Sequence, residues 1–197
     1  MSLGYKQQNM SPSVPAEEAQ EDANPLLIPV ATGIGPGLDA LWLGNLTAAE
    51  DASALYEAGI TASLNLAVNI FPSPLSLPDG THVRRYQIGM LDGVGNAPQT
   101  LAAAVLLVDG LNTSYTKGKP HYPSHRNGGL LVHCRGGRSR SVTVLALWLH
   151  SRFTSEHPSL DAALARLRSL RGLTETYPLP PMIALAREAL AFIPLQK

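Results

Sequence analysis

The stretch LLVHCRGGRSRSVTVLALWLH, residues 130–150, decides how this chain is read. Its opening, LLVHC, is a short continuous apolar run of the kind that forms a buried strand. Gly136-Gly137 then break the pattern, and a long apolar helix is predicted over roughly 139–153. That order sets the chain's single cysteine, Cys134, at the carboxyl end of a strand and at the mouth of a helix. In open α/β sheets, ligands bind in that position. Tight glycine turns let successive amide N–H groups point inward as an anion cradle. The helix dipole adds roughly half a positive charge there, and Arg140 offers a planar two-pronged donor matched to two phosphate oxygens. The same field acts on the thiol. A cysteine so placed falls to a pKa of about 3.5–7.5 from about 8.5, which makes it a thiolate and a nucleophile at neutral pH. A lone cysteine closing an apolar strand is usually a small core hydrophobe; the glycines and arginines at this spacing favour the reactive reading.

Outward from the loop, strands alternate with helices. ALWLGN (40–45) reads as a strand. LTAAEDASALYEAGI follows as a helix with Thr47 at its N-cap, Glu50 at capping-box spacing and Gly59 as its stop. TASLNLA (61–67) and THVRRYQIGM (81–90) read as strands, and PQTLAAAVLLVDGLN as a helix with Pro98 near its start. SLDAALARLRSLRG and LPPMIALAREALAFI are two closing helices. The pattern predicts an α/β domain with a largely parallel or mixed sheet. Residues 113–129, rich in Gly, Pro and His, read as a surface insertion, and 1–30 as a flexible, polar, acidic tail.

The 197 residues suffice for one well-cored domain, placed at 31–197. Fifteen Lys and Arg balance fifteen Asp and Glu, so bulk charge gives no reason to expect nucleic acid as a partner, and any attraction for anions is local. No apolar run approaches membrane-spanning length, and no secretory signal is recognised at the start. One cysteine cannot form an internal disulfide. The expectation is a cytoplasmic protein without a metal or other cofactor, since no His, Cys and Asp cluster has metal-ligand spacing. His121 and His125, four apart in the insertion, are read as solvated.

His133, Cys134, Gly137, Arg140 and Ser141 match each fixed position of His-Cys-x-x-Gly-x-x-Arg-Ser, the signature of the cysteine-dependent protein tyrosine phosphatases. LWLGN, GIT and LNLA upstream resemble the start of the dual-specificity branch, and the likeness covers roughly residues 38–193. The resemblance implies a three-layer fold: a mixed, mostly parallel sheet of about four to five strands flanked by helices. It also implies hydrolysis of phosphate monoesters, phosphotyrosine and phosphoserine or phosphothreonine of proteins, through a cysteinyl-phosphate. Cys134 would attack phosphorus. Arg140 and the loop amides over Arg135, Gly136, Gly137, Arg138 and Ser139 would bind the phosphate oxygens. Ser141 would donate to the sulfur, and His133 would position the cysteine from behind. Asp92, in GMLDGVGNAP, stands where the family takes its general acid, though it also suits a plain Asp-Gly turn.

Two features depart from the common pattern. Arg135 and Arg138 are both basic where protein phosphatases more often carry an acidic or neutral residue, which resembles the phosphoinositide phosphatases; the alternative substrate is therefore a polyanionic phosphate ester. RGLTETYPLPPMI lacks the Asn-Pro turn common before the last helix. Rhodanese-like sulfurtransferases use a Cys-Arg-x-Gly loop one residue shorter and leave Asp92 unexplained. A phosphate-binding pseudophosphatase is a further alternative, disfavoured because Cys134, Arg140 and Asp92 are all present. The oligomeric state and the tyrosine against serine/threonine preference are not readable.

Overall fold

A computed structural model of the chain describes residues 14–196. Its elements are α1 (Ala16–Asp22), β1 (Leu27–Thr32), β2 (Ala40–Gly44), α2 (Leu46–Ala49), α3 (Ala52–Glu57), β3 (Ile60–Ala67), β4 (Arg84–Met90), α4 (Pro98–Thr113), β5 (Gly129–His133), α5 (Arg140–Arg152), α6 (Leu160–Arg171) and α7 (Pro180–Ala189), followed by a 3-10 turn at Leu190–Phe192. The strands form one mixed sheet in the order β1-β2-β5-β3-β4. β2, β5, β3 and β4 are parallel, and β1 joins the edge antiparallel to β2.

Period-two alternation distributes the strand side chains between two helical layers. Leu41 and Leu43 of β2, Leu64 and Leu66 of β3, and Leu130 and Val132 of β5 face one core, which α4, α5, α6 and α7 close with Val105, Leu145, Leu164 and Met182. Trp42, Ile60 and Leu131 face the opposite side, where Ala48, Ala49 and Leu55 of α2 and α3 cover them. The sheet is thus sandwiched, in three layers. β3 and β5 are buried along their whole length. So is α5 from Arg140 to Ser151, which accounts for its apolar composition on every side. None of the described helices is long and apolar enough to cross a membrane.

Three local expectations are corrected. The segment read as one helix capped by Thr47 is two short helices. Asn45 Oδ1 accepts from Ala48 N at 2.9 Å to cap α2, and Asp51 Oδ1 accepts from Ala54 N at 2.9 Å to cap α3. Gly59, at φ +68°, provides the expected stop. Second, the tail expected over 1–30 carries α1 and β1. Pro29 argues against a strand by sequence, yet β1 is an edge strand, where a missing N–H is tolerated. The tail reading of residues 1–13 lies outside the described residues. Third, His125 is half-buried rather than solvated: its Nδ1 lies 3.0 Å from the hydroxyl of Tyr115. Between Ser114 and Gly128 the chain carries no helix or strand.

Candidate active site

β5 ends at His133 and α5 begins at Arg140, so residues 134–139 form the loop that joins the sheet to its most buried helix. Gly137 takes φ +66°, and a Cβ on it would come within 2.7 Å of the Gly44 carbonyl oxygen. The turn thus needs glycine both for its left-handed backbone and for its closeness to β2. The carbonyl of Arg135 accepts from Leu46 N at 2.9 Å, and Ser139 Oγ accepts from Leu179 N at 3.2 Å. The first bond ties the loop to α2 and the second to the start of α7.

Cys134 lies at the floor of a cavity of about 420 Å³. Burial alone would raise the thiol's pKa. The Arg140 guanidinium, with the hydroxyl and amide of Ser141, outweighs that and lowers it below the ordinary value of a thiol. Ser141 Oγ is 3.4 Å from the sulfur. Arg140 Nη1 donates to the Met90 carbonyl at 3.1 Å, its Nη2 is 3.8 Å from Asp92 Oδ2, and its Nε is buried with no hydrogen-bond partner among the described residues. Asp92, directly beyond β4, stands on the opposite wall from the loop, about a third exposed. Val68, Ile70 and Leu91 add apolar wall.

His133 is fully buried behind the cysteine, with Nδ1 3.3 Å from the Cys134 carbonyl oxygen and Nε2 unpartnered among the described residues. Burial is the main reason its pKa falls from 6.5 to about 4, and Arg85 and Arg140 push the same way. The ring is neutral at physiological pH and does not line the cavity.

The structure therefore brings Cys134, Arg140 and Asp92 together around one cavity, with Ser141 buried beside the sulfur and His133 behind it. Arg135, Gly136, Arg138 and Ser139 line the same cavity, whereas Gly137 turns away against β2. Neither Arg135 nor Arg138 presents a free charge. Arg138 Nη1 donates to Asp22 Oδ1 at 2.7 Å, its Nε donates to Glu21 Oε2 at 3.1 Å, and its Nη2 also pairs with Glu21. Arg135 Nε is 3.2 Å from Asp22 Oδ2.

Sequence reasoning missed two contributors. Asn96 closes the loop that carries Asp92: its Oδ1 accepts from Leu91 N at 2.8 Å, and its Nδ2 donates to the carbonyls of Leu91 (3.0 Å) and Gly93 (2.9 Å). An Asn four residues after an Asp in a Gly-rich turn was the available signal. Tyr177 lines the cavity and donates its hydroxyl to Glu18 Oε1 at 2.7 Å; burial first, then this carboxylate, raises its pKa to about 12. No local signal marked it. Among the described residues, no group of three or more His, Cys, Asp or Glu is arranged to hold a metal ion.

No family model matches the sequence, and no curated protein matches it. Solved structures do match the fold. The Yvh1 phosphatase domain from Chaetomium thermophilum aligns with a TM-score of 0.58 at 20% identity, covering 85% of this chain and 96% of that one. A mouse putative dual specificity phosphatase, complexed with zinc tungstate, aligns with a TM-score of 0.56 at 22% identity, covering 97% and 94%. Human DUSP28 aligns with a TM-score of 0.53 at 22% identity, covering 86% and 95%. The chain has the fold of the dual-specificity branch of the protein tyrosine phosphatases.

Proposed function

We propose that this protein is a phosphatase that hydrolyses phosphate monoesters of proteins through a cysteinyl-phosphate on Cys134. The observation that carries the reading is convergence. A thiol with a lowered pKa, a buried guanidinium and a carboxylate, drawn from β5, α5 and the loop after β4, meet at one cavity. In the first step the Cys134 thiolate attacks phosphorus. The P–O ester bond breaks, and its electron pair leaves on the ester oxygen, which takes a proton from the Asp92 carboxyl. The Arg140 guanidinium and the loop amides stabilise the charge gathering on the three remaining oxygens. In the second step Asp92, now ionised, takes a proton from water as the water oxygen attacks phosphorus. The S–P bond breaks, and Ser141 Oγ stabilises the departing thiolate. His133 positions the cysteine backbone.

The apolar wall of Val68, Ile70 and Leu91 suits the ring of phosphotyrosine. A mouse putative dual specificity phosphatase is among the solved structures whose fold is similar to this one, which supports the reading. The test is phosphate release from a generic aryl phosphate in the presence of a chelator, with wild type, Cys134→Ser and Asp92→Asn compared. Metal-independent turnover abolished by the first change and strongly reduced by the second is expected. A folded wild type that binds phosphate without turning over would replace this reading with that of a phosphate-binding module.

A further inference from the structure

The sequence of α1, AEEAQED, carries three acids that meet cations far along the chain. Glu18 lies 3.8 Å from Arg135 and 3.6 Å from Arg138 through Oε2, while its Oε1 accepts from Tyr177. Glu21 pairs with Arg138 and, at 2.7 Å, with Arg171 of α6. Asp22 bridges Arg135 and Arg138. Three carboxylates thus face three guanidinium groups. The Arg138 side chain is only 7% exposed, so its pairing is sheltered from the solvent that weakens surface ion pairs. Hydrogen bonding to Arg171 and then to Arg138 outweighs desolvation and lowers the Glu21 pKa from 4.5 to about 2.

The helix is also fixed mechanically. Asn45, buried at the end of β2, donates to the Asn24 carbonyl at 2.7 Å and accepts from Leu26 N at 3.0 Å. Thr47 donates to the Asp22 carbonyl. A Cβ at Gly136 would overlap Arg138 Nη1 and stand 2.7 Å from Asp22 Oδ1, so the ion pairs pack directly on the loop backbone. Arg135 and Arg138 both line the cavity, yet their charge is matched there by the chain's own acids.

We propose that Glu18, Glu21 and Asp22 are specificity-determining residues: they act as a charge filter that confines the cavity to esters bearing one phosphate with neutral or cationic surroundings. The inference rests on the phosphatase reading above and names its substrate class. Arg140 and the loop amides are left to bind a single phosphate. A second phosphate, as on a polyphosphorylated headgroup, meets guanidinium groups already engaged and carboxylates of its own sign, which raises the cost of approach. A loop with two extra arginines therefore does not act as a polyanion site while α1 is docked on it.

The experiment compares wild type, Glu18→Gln/Asp22→Asn, the single variant Asp22→Asn, and Glu17→Gln, which removes one acid of the same helix that makes no ion pair among the described residues. An aryl phosphate is the substrate and soluble inositol trisphosphate the competitive inhibitor. In the double variant the inhibition constant for the trisphosphate should fall about tenfold or more, with a smaller fall in Asp22→Asn and none in Glu17→Gln. The kcat/KM for the aryl phosphate should stay within about threefold of wild type, because neither changed residue lines the cavity. An unchanged inhibition constant in a folded variant overturns the proposal, as does a wild type that already binds the trisphosphate as tightly as the variants. If the double variant does not fold, Asp22→Asn decides alone. Absence of aryl phosphate turnover in wild type is a failure of the phosphatase reading instead. Calorimetric binding of inositol trisphosphate to the same proteins then still reads the filter.

Discussion

Arg140 and Asp92 face each other across the cavity with Nη2 and Oδ2 3.8 Å apart, while Arg140 Nη1 holds the carbonyl of Met90 two residues before the aspartate. One guanidinium therefore contacts the segment that carries the acid and, through its charge, lowers the pKa of the thiol. Their proposed roles differ in a measurable way. Arg140→Lys loses the planar fork, and kcat/KM should drop about 10²–10³-fold for every aryl phosphate, whatever its leaving group. Asp92→Asn should cost about 10²-fold or more with a poor leaving group and much less with an acidic phenol, which departs without a proton. A leaving-group series on the two variants checks this. Parallel losses across the series would remove Asp92 from the role of acid.

Cys134 should be alkylated as a thiolate below the pH at which an ordinary thiol ionises. Burial works against ionisation, and Arg140 and Ser141 more than reverse it. The pH profile of inactivation by iodoacetate should have its midpoint below that of an ordinary free thiol measured alongside it. In Ser141→Ala, which removes the hydroxyl 3.4 Å from sulfur, the midpoint should move up. A midpoint that does not respond to Ser141 would leave the hydroxyl without a part in ionising the thiol.

Much of the architecture was legible because it is written in local patterns. The continuous apolar run of β5, the glycine turn and the apolar α5 place the loop from sequence alone, and the helical periods of α4, α6 and α7 and the strand patterns of β2 to β4 hold in the structure. What was not legible depends on partners distant in sequence. α1 is short and buries none of its own side chains, so packing does not mark it in the sequence; Arg138, more than a hundred residues later, supplies its counter-charge. Thr47 has the spacing of a capping box, yet Asn45 takes the cap and Thr47 turns to the Asp22 carbonyl, a choice that follows from where α1 lies. Arg135 and Arg138 raised a polyanionic ester as the alternative substrate, and their pairing with Asp22 was not legible because sequence shows charges but not their partners.

Asn96 should act on the chemistry only through Asp92. It makes both hydrogen bonds available on Leu91 and a third to Gly93, which fixes the turn between β4 and α4. Asn96→Ala frees that turn. We expect kcat to fall about tenfold with a poor leaving group, with little change in KM and little effect on an acidic phenol ester, the signature of a misplaced proton donor. A uniform loss of kcat/KM across leaving groups would assign Asn96 a purely structural part.

His133 makes folding stability depend on pH in a window of its own. Burial is the chief cause that holds the folded-state pKa near 4, against 6.5 when the chain is unfolded. Between those values the unfolded chain binds a proton that the folded one does not. Stability is therefore fully present above pH 6.5, declines as pH falls towards 4, and levels below it, a loss of about 3 kcal/mol. The Glu21 contribution is separable: a carboxylate depressed from 4.5 to about 2 stabilises above 4.5 and is lost only at lower pH. Urea unfolding of wild type and His133→Gln at pH 7.5 and pH 5, chosen on either side of the 6.5 value, isolates the histidine. The wild type should lose about 2 kcal/mol more than the variant over that interval. Equal losses would mean that the imidazole titrates alike in both states, and that its burial behind Cys134 does not hold it neutral.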